Sequence, residues 1–473
     1  MKNMTLWNIA RACGGRLIVP AGKGTACPGA GIGTIRRYSG KEAAGIVLDS
    51  RKVSPGFVFV ASRGERVDGH RFIPEVFEKG AIGVVCEREP EELCGPCIVV
   101  PDSLEALRKI AAFYRQQMPV PIVGVTGSVG KTSTKEMIAA VLSQKYRTHK
   151  TQGNFNNEVG VPLTLLSMPE ETEAAVVEMG INHFGEMRRL SEIVRPDLCV
   201  MTNIGQCHLE FLGSRDGILQ AKSEIFEFMN PEGTVCVNGD DDKLAGIGEV
   251  HGRRPVRFGL DPENDDIYAD EIENLGLLGS RAVIHAGEDA FPVRIPLPGA
   301  HMVYNALAAA AVGFCLGLSA DQIAAGIASV QPVSGRSRVI AAGDLAVIDD
   351  CYNANPVSTK AAIDLLCLAE GRKVAVLGDM FELGENGEEL HAQVGRHAAR
   401  SGVDCLYCAG DLSRRTALAA QEAGLKEVRH FPGREELMEA LPALLMPGDS
   451  VLVKASHSMG FEKIVEELEG RKG

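Results

Sequence analysis

The sequence predicts an α/β protein of three domains, with a phosphate-binding parallel sheet in the middle one. Three observations carry this. A glycine-rich loop, GVTGSVGKTSTKE at 124–136, stands between an apolar strand ending and a helix-like run. Short apolar runs alternate with amphipathic stretches along most of the chain, the rhythm of βαβ units covered on both faces of a sheet. Proline-marked breaks near 119–121 and 332 divide the 473 residues into three blocks of ordinary domain size.

The first block, 1–118, carries apolar segments at 45–48, 57–61, 81–86 and 98–100 that read as strands, with helices at 73–79 and 103–117. Pro119 and Pro121 then form a linker. The second block, 119–332, reads as strands at 174–179, 197–203 and 234–237, and as helices at 131–143, 184–194 and 217–229. The acidic stretch 261–294 reads as a short antiparallel excursion, and the Ala-rich run 306–318 as a buried helix too short to span a bilayer. The third block, 333–473, has strand-like runs at 346–350, 373–377, 405–409 and 450–454 with helical patterns between them, a second doubly wound, Rossmann-like unit.

Composition narrows the class. Apolar residues make up 45% and charged residues 23%, as in ordinary globular proteins. The net charge of −13, without a basic run, argues against nucleic acid as a partner. The N-terminal segment lacks an apolar stretch long enough for a signal peptide, and nothing predicts membrane insertion, so a cytoplasmic, monomeric protein is expected. Thirteen cysteines scattered through apolar segments fit reduced, buried thiols. The pairs Cys94–Cys97 and Cys405–Cys408 lack the helix start of a redox motif and the His partners of a zinc site.

The loop at 124–136 carries the chemistry. Its glycines let backbone N–H groups turn toward an anion at a helix N-terminus. Gly127, Ser128, Gly130 and Ser133 would line the phosphates, Lys131 would reach the outer ones, and the Thr132 hydroxyl would hold Mg²⁺. The usual pattern has Gly six residues before the Lys, where this chain has Val125. Glu178, ending the strand-like AAVVE, is placed as a second Mg²⁺ ligand or as a capping carboxylate. His208 follows the next strand at the same sheet edge, as a ligand or a structural histidine. Asn154, Asn156 and Asn157 sit in a loop whose amides either donate to phosphate or sugar oxygens or make turns. Asn305, one helical turn after His301, would read an adenine edge or cap locally. Arg336, with Arg338 close by, follows the second linker and would swing onto a phosphate as domains close; otherwise it is a surface arginine. Asp350, after a strand, is placed to accept from a ribose hydroxyl.

The series GxxGxxGKTxTKE, GNFNNEVGVPLTLL, VVEMG, NIGQCHLE, AKSEIF, HMVYN and DDCYNANP, in that order, resembles the Mur ligases of bacterial cell-wall synthesis; DSRKVSPGFVFVA and VDGHRFI near the start match as well. DDCYNANP and GDMFELGE are similar to the branch that adds D-alanyl-D-alanine. The resemblance implies a first domain for a UDP-N-acetylmuramoyl-tripeptide, a central domain for ATP and two Mg²⁺, and a last domain bringing the incoming amine. It implies that Lys222 is carbamylated by CO₂ and supports the second Mg²⁺ with His208; on the residues alone, Lys222 and Glu224 read as a solvated pair. It further implies uridine diphosphate contacts from Ser50 and Arg51 with His70 nearby, although DSR and DGH equally fit turn caps. Asn353, Asn355, Lys454 and Ser456 are implied substrate contacts. Asp379 and Glu382 are implied to receive the dipeptide ammonium or to hold a turn. KASHSMG departs from the family pattern by placing His457 where an Arg is expected. The competing readings are a related ligase with another amino-acid acceptor, including a folylpolyglutamate-type enzyme, and a regulatory ATPase. A GTPase switch lacks its Asn-Lys-x-Asp guanine reader here.

Overall fold

The computed structural model describes residues 1–20, 40–64 and 67–470. Three sheets follow one another along the chain. The first has five strands in the order Arg16–Ile18, Cys97–Val99, Gly83–Cys86, Phe57–Val60, Gly45–Val47, all parallel except the first. The helix Ser103–Gln117 closes this unit. Asp102 caps it by accepting the Glu105 N–H at 2.8 Å, and its buried residues Ala106, Leu107, Ile110, Ala111 and Tyr114 recur every three or four positions. The helix stops at Met118, before a Pro-Val-Pro segment that cannot continue it.

That helix joins the first unit to the second. Leu107, Ile110 and Tyr114 share one buried cluster with Leu165, Leu190 and Ile225. The Tyr114 hydroxyl donates to the Met168 carbonyl at 2.7 Å, and Arg115 donates to the Val194 carbonyl at 2.9 Å and to Asp197 at 3.1 Å. Each large apolar side chain removed from water there contributes about 1.5–3 kcal/mol.

The second sheet has nine strands. Its parallel part runs Val256–Gly259, Thr234–Asn238, Leu198–Met201, Ile122–Thr126, Ala174–Glu178, Thr148–Lys150. Ile122–Thr126 and Ala174–Glu178 are buried throughout, as expected of strands covered on both faces. The expected antiparallel excursion is an extension of this same sheet. Ile267–Asn274 pairs parallel with Val256–Gly259, then Ser280–Ala286 and Asp289–Ile295 fold back as a meander. The Ala-rich segment is the helix His301–Cys315, whose small residues let it lie close on helix Lys131–Leu142.

The third sheet runs Arg338–Ala342, Leu345–Asp349, Ser450–Lys454, Lys373–Gly378, Cys405–Ala409, Glu427–Phe431, with an antiparallel first pair. The last strand in sequence inserts between two earlier ones, so the ends of Leu345–Asp349, Ser450–Lys454 and Lys373–Gly378 lie side by side, where open α/β sheets hold ligands.

One expected helix differs. The run read as 217–229 is the helix Arg215–Ser223 followed by a single 3-10 turn at Glu224–Phe226. At this turn the Glu224 carboxylate accepts the Gly185 N–H at 3.0 Å and the Arg188 N–H at 3.1 Å, satisfying the open start of helix Glu186–Val194. The described cysteines are all free thiols, and Cys27 lies outside the described residues. Among the described residues no helix is long and apolar enough to cross a membrane.

Candidate active site

Strand Ile122–Thr126 leads into the glycine loop, and helix Lys131–Leu142 leaves it. Gly127 has φ 152° and Gly130 φ 81°. A Cβ at Gly127 would lie 1.9 Å from the Thr202 hydroxyl, so the loop needs glycine there for space as well as for conformation. Gly130 caps the helix without any side-chain acceptor, which leaves its first N–H groups directed at an incoming anion. The loop is braced by the neighbouring strand end. The Ser128 N–H donates to the Asn203 carbonyl at 3.0 Å, the Val129 N–H to the Asn203 side chain at 3.0 Å, and the Thr202 hydroxyl to the Val129 carbonyl at 2.7 Å. Asn203 was not singled out from sequence; an Asn directly after a buried strand is the signal that could have found it.

Lys131 folds over the loop and donates to the Gly127 and Ser128 carbonyls at 2.8 and 3.3 Å. Burial lowers its pKa, Glu178 opposes that shift, and Arg336 reinforces it. Thr132 donates to Glu178 Oε1 at 3.2 Å, and Asn156 Nδ2 donates to the same oxygen at 2.8 Å. Glu178 is 1% exposed, and its Oε2 is buried without a hydrogen-bond partner among the described residues. A bare carboxylate oxygen beside a phosphate-loop threonine fits one protein ligand of a Mg²⁺ ion, which normally takes one or two carboxylates together with phosphates and water. The described residues contain no group of three or more His, Cys, Asp or Glu that would form a closed metal cage. Beneath Glu178 lies fully buried Lys135, donating to the Thr151 carbonyl at 2.8 Å and paired with Glu136 at 2.9 Å. Its Nζ is 4.0 Å from Glu178 Oε2. Lys135 lies within the loop motif, but no spacing rule distinguishes it from a surface lysine.

Of the three loop asparagines it is Asn156 that reaches the centre. Asn157 lines the cleft but caps the Val159 and Gly160 N–H groups, and Asn154 is exposed and outside the cleft lining. The donor geometry of that turn decides which amide points inward.

Lys222 is 1% exposed, which corrects its reading as a solvated partner of Glu224. The described residues offer its ammonium no hydrogen-bond acceptor within reach, and burial holds its pKa down to about 8. A cation with a folded pKa of about 8 against an ordinary 10.5 costs stability below pH 8, and the cost fades as pH rises toward 10.5. The size is about 3 kcal/mol. The Lys222→Met variant, compared with CO₂-free unmodified protein in urea unfolding, is expected to be the more stable at pH 7, with the gap closing by pH 10.

The third unit faces the loop across a cleft of about 920 Å³. Lys131, Thr132, Glu178, His208 and Asn305 line it from the middle unit; Arg336, Asp350, Asn353, Asn355 and Lys454 line it from the last. Asn305 Oδ1 accepts from the Thr134 hydroxyl at 2.9 Å. Arg336 stacks on Tyr352, 3.8 Å from the ring centroid, and the Tyr352 ring also meets His457 at 5.3 Å. Asp350 and Lys454 are partners of each other: Nζ donates to Oδ2 at 2.5 Å and to the Asn353 carbonyl at 2.8 Å. Asp350 Oδ1 accepts from the Ser337 N–H at 2.9 Å. Asn355 caps helix Pro356–Cys367.

Several of the other expected contact residues bond within their own units. His70 is buried with Nδ1 2.7 Å from Asp68, and its Nε2 accepts the Glu87 N–H at 2.9 Å. Arg51 lies on Asp49 at 2.8 Å, and Ser50 is buried. Asp49 and Asp68 cap their own turns, the alternative that DSR and DGH had left open. Asp379 is buried and takes the Ser413 N–H at 2.6 Å, while the Ser456 hydroxyl accepts the Phe381 N–H at 3.0 Å. None of Ser50, Arg51, His70, Asp379, Ser456 and Lys222 lines the main cleft.

The fold and site define a three-unit phosphate-loop protein with a polar cleft between its second and third sheets. Sequence profiles place it further: "Mur ligase family, catalytic domain" matches residues 42–115, "Mur ligase middle domain" 125–313, and "Mur ligase, glutamate ligase domain" 335–457. The chain belongs to the Mur ligase family. It is 38% identical to the UDP-N-acetylmuramoyl-tripeptide–D-alanyl-D-alanine ligase of Bacillus subtilis, covering 90% of this chain and 93% of that one. The protein of that name from Escherichia coli is also 38% identical, over 90% and 93% of the two chains. The crystal structure of MurF from Acinetobacter baumannii superposes with a TM-score of 0.87 at 34% identity, covering 99% of each chain. MurF ligase from Thermotoga maritima, solved with ADP, gives 0.78 at 31% identity over 90% of this chain and 96% of that one.

Proposed function

We propose that this chain is an ATP-dependent amide ligase that joins D-alanyl-D-alanine to UDP-N-acetylmuramoyl-tripeptide in peptidoglycan precursor synthesis. The carrying observation is the Glu178 carboxylate, bonded through Oε1 to Thr132 and with Oε2 free of hydrogen bonds among the described residues, in one cleft with Lys131 and Arg336. The matched relatives bear the name of that reaction. A cytoplasmic location goes with this reading, since that compartment supplies ATP.

A carboxylate is a poor acylating agent, because oxide leaves badly. Transfer of the terminal phosphoryl group of ATP to the tripeptide carboxylate gives an acyl phosphate; the dipeptide amine then adds to its carbonyl, and phosphate departs. Bringing a carboxylate to a triphosphate requires converging positive charge. Lys131 and Arg336 supply it from opposite walls, and the loop N–H groups add fixed dipoles. Thr132 and Glu178 would hold one Mg²⁺, and His208 with modified Lys222 a second. Bound there, the ions would neutralise phosphate oxygen charge. The Lys222 site fits carbamylation: burial favours the neutral amine, which is the form that adds CO₂ and loses a proton, and an anion in its place would relieve the charge conflict with Lys131.

A panel of donors and amine acceptors, read by phosphate release and product mass, tests the assignment. Amide formation with D-alanyl-D-alanine is expected. A response to glutamate or diaminopimelate alone would replace it with another acceptor, and ATP hydrolysis without any acceptor would make the chain a regulatory ATPase.

A further inference from the structure

His208 and Glu382 come from different sheets, 174 positions apart, and meet at 2.6 Å between Nδ1 and Oε2. Both sit in a backbone region that side-chain-bearing residues seldom occupy, His208 at φ 51° and Glu382 at φ 60°. The two turns are docked around this contact. Leu209 packs on the buried core of the third unit, and a Cβ at Gly384 would lie 3.7 Å from the Glu210 backbone. The His208 side chain is 18% exposed, so its ring is held rather than solvated.

A carboxylate can only accept, so the hydrogen of a neutral His208 imidazole sits on Nδ1, and the lone pair of Nε2 is left free. Metal-binding histidines are commonly oriented in this way by a carboxylate on their other nitrogen. We propose that Glu382 is the positioning residue of His208: the third unit, by docking, supplies the carboxylate that sets the His208 tautomer and ring orientation for the second Mg²⁺. The proposal rests on the ligase reading for the metal, and it assigns Glu382 away from the dipeptide ammonium. It also links docking of the amine-carrying unit to completion of the metal site, so an undocked enzyme would have a poorly formed second site.

The test combines a measurement without substrate and one with it. Histidine ¹⁵N NMR on the full-length, metal-free protein, with His208 assigned through H208Q, is expected to show the neutral ring protonated on Nδ1. Glu382→Ala is expected to move it toward the Nε2-protonated tautomer, and Glu382→Gln to retain Nδ1–H, since the amide oxygen still accepts. In turnover, Glu382→Ala is expected to raise the Mg²⁺ concentration for half-activation by about 10- to 100-fold, with little change in KM for the dipeptide. Glu382→Gln should recover most of this. An unchanged tautomer in Glu382→Ala would overturn the proposal, as would a raised dipeptide KM at unchanged Mg²⁺ dependence. The NMR result does not need a ligase, so wild-type protein that forms no amide would sink the functional reading separately.

Discussion

Lys131→Ala is expected to abolish ligation while leaving the fold in place. The Lys131 ammonium is the cation at the centre of the phosphate loop, and its only hydrogen bonds among the described residues go to the loop carbonyls of Gly127 and Ser128. Removing one preorganised charge-stabilising donor from a transition state typically lowers turnover by 10²–10³. Here the same group also screens the carboxylate from the triphosphate before reaction, so a fall in kcat/KM of at least about 10³, near 4 kcal/mol of barrier, is expected. Stability should barely change. The lost side chain does not belong to the buried apolar clusters, and burial disfavours its charged form. Phosphate release with both substrates present, beside a thermal melt, separates the two effects. Retained turnover would remove the loop from the mechanism; a collapsed melting transition would instead make Lys131 structural.

Lys222→Ala is expected to fall at least about 100-fold in activity and to recover in part when a small carboxylic acid is added. The fall follows from losing a group that supports the second metal position, where even indirect contributors are worth 10- to 100-fold. Recovery follows from the geometry of burial. The wild-type side chain fills an enclosed site, and truncation leaves room for a small anion to stand where the carbamate would. Native mass spectrometry, after gentle purification in bicarbonate, should show the mass of one added CO₂ on wild type and none on the variant. A fully active Lys222→Ala enzyme would dismiss the metal role. An inactive variant that no acid rescues would remove the support for a carbamate at Lys222. The two variants also differ in stability. Lys131→Ala should be nearly silent, whereas removing the Lys222 ammonium relieves a desolvated cation and is offset by the cavity left behind.

What could be read without coordinates follows local rules. The phosphate loop was legible because strand, glycines, Gly-Lys-Thr and helix are contiguous, and each is required by backbone sterics or by the charge of a phosphate. Glu178 was legible as a carboxylate ending a buried strand. Its unpaired oxygen was not, because that depends on Thr132 and Lys135 of the loop helix and Asn156 of a separate loop converging on it. In the first unit the local contacts are the turn caps that the sequence had left open. In Asp-Ser-Arg and Asp-Gly-His the Asp two residues ahead of a free N–H finds that partner within its own turn.

Local sequence sets the α/β class, the order of the strand and helix runs, the phosphate loop and the chemistry its residues are fit for, since these depend on periodicity, on glycine and proline sterics and on charge within a dozen residues. Tertiary packing settled that Lys222 is buried with no hydrogen bond from its ammonium among the described residues, that Asp350 and Lys454 pair, and that Glu382 meets His208 across the cleft. Those facts depend on where a late strand inserts into a sheet and how two units dock. They are set by the summed burial of many distant side chains, which no single stretch of sequence encodes.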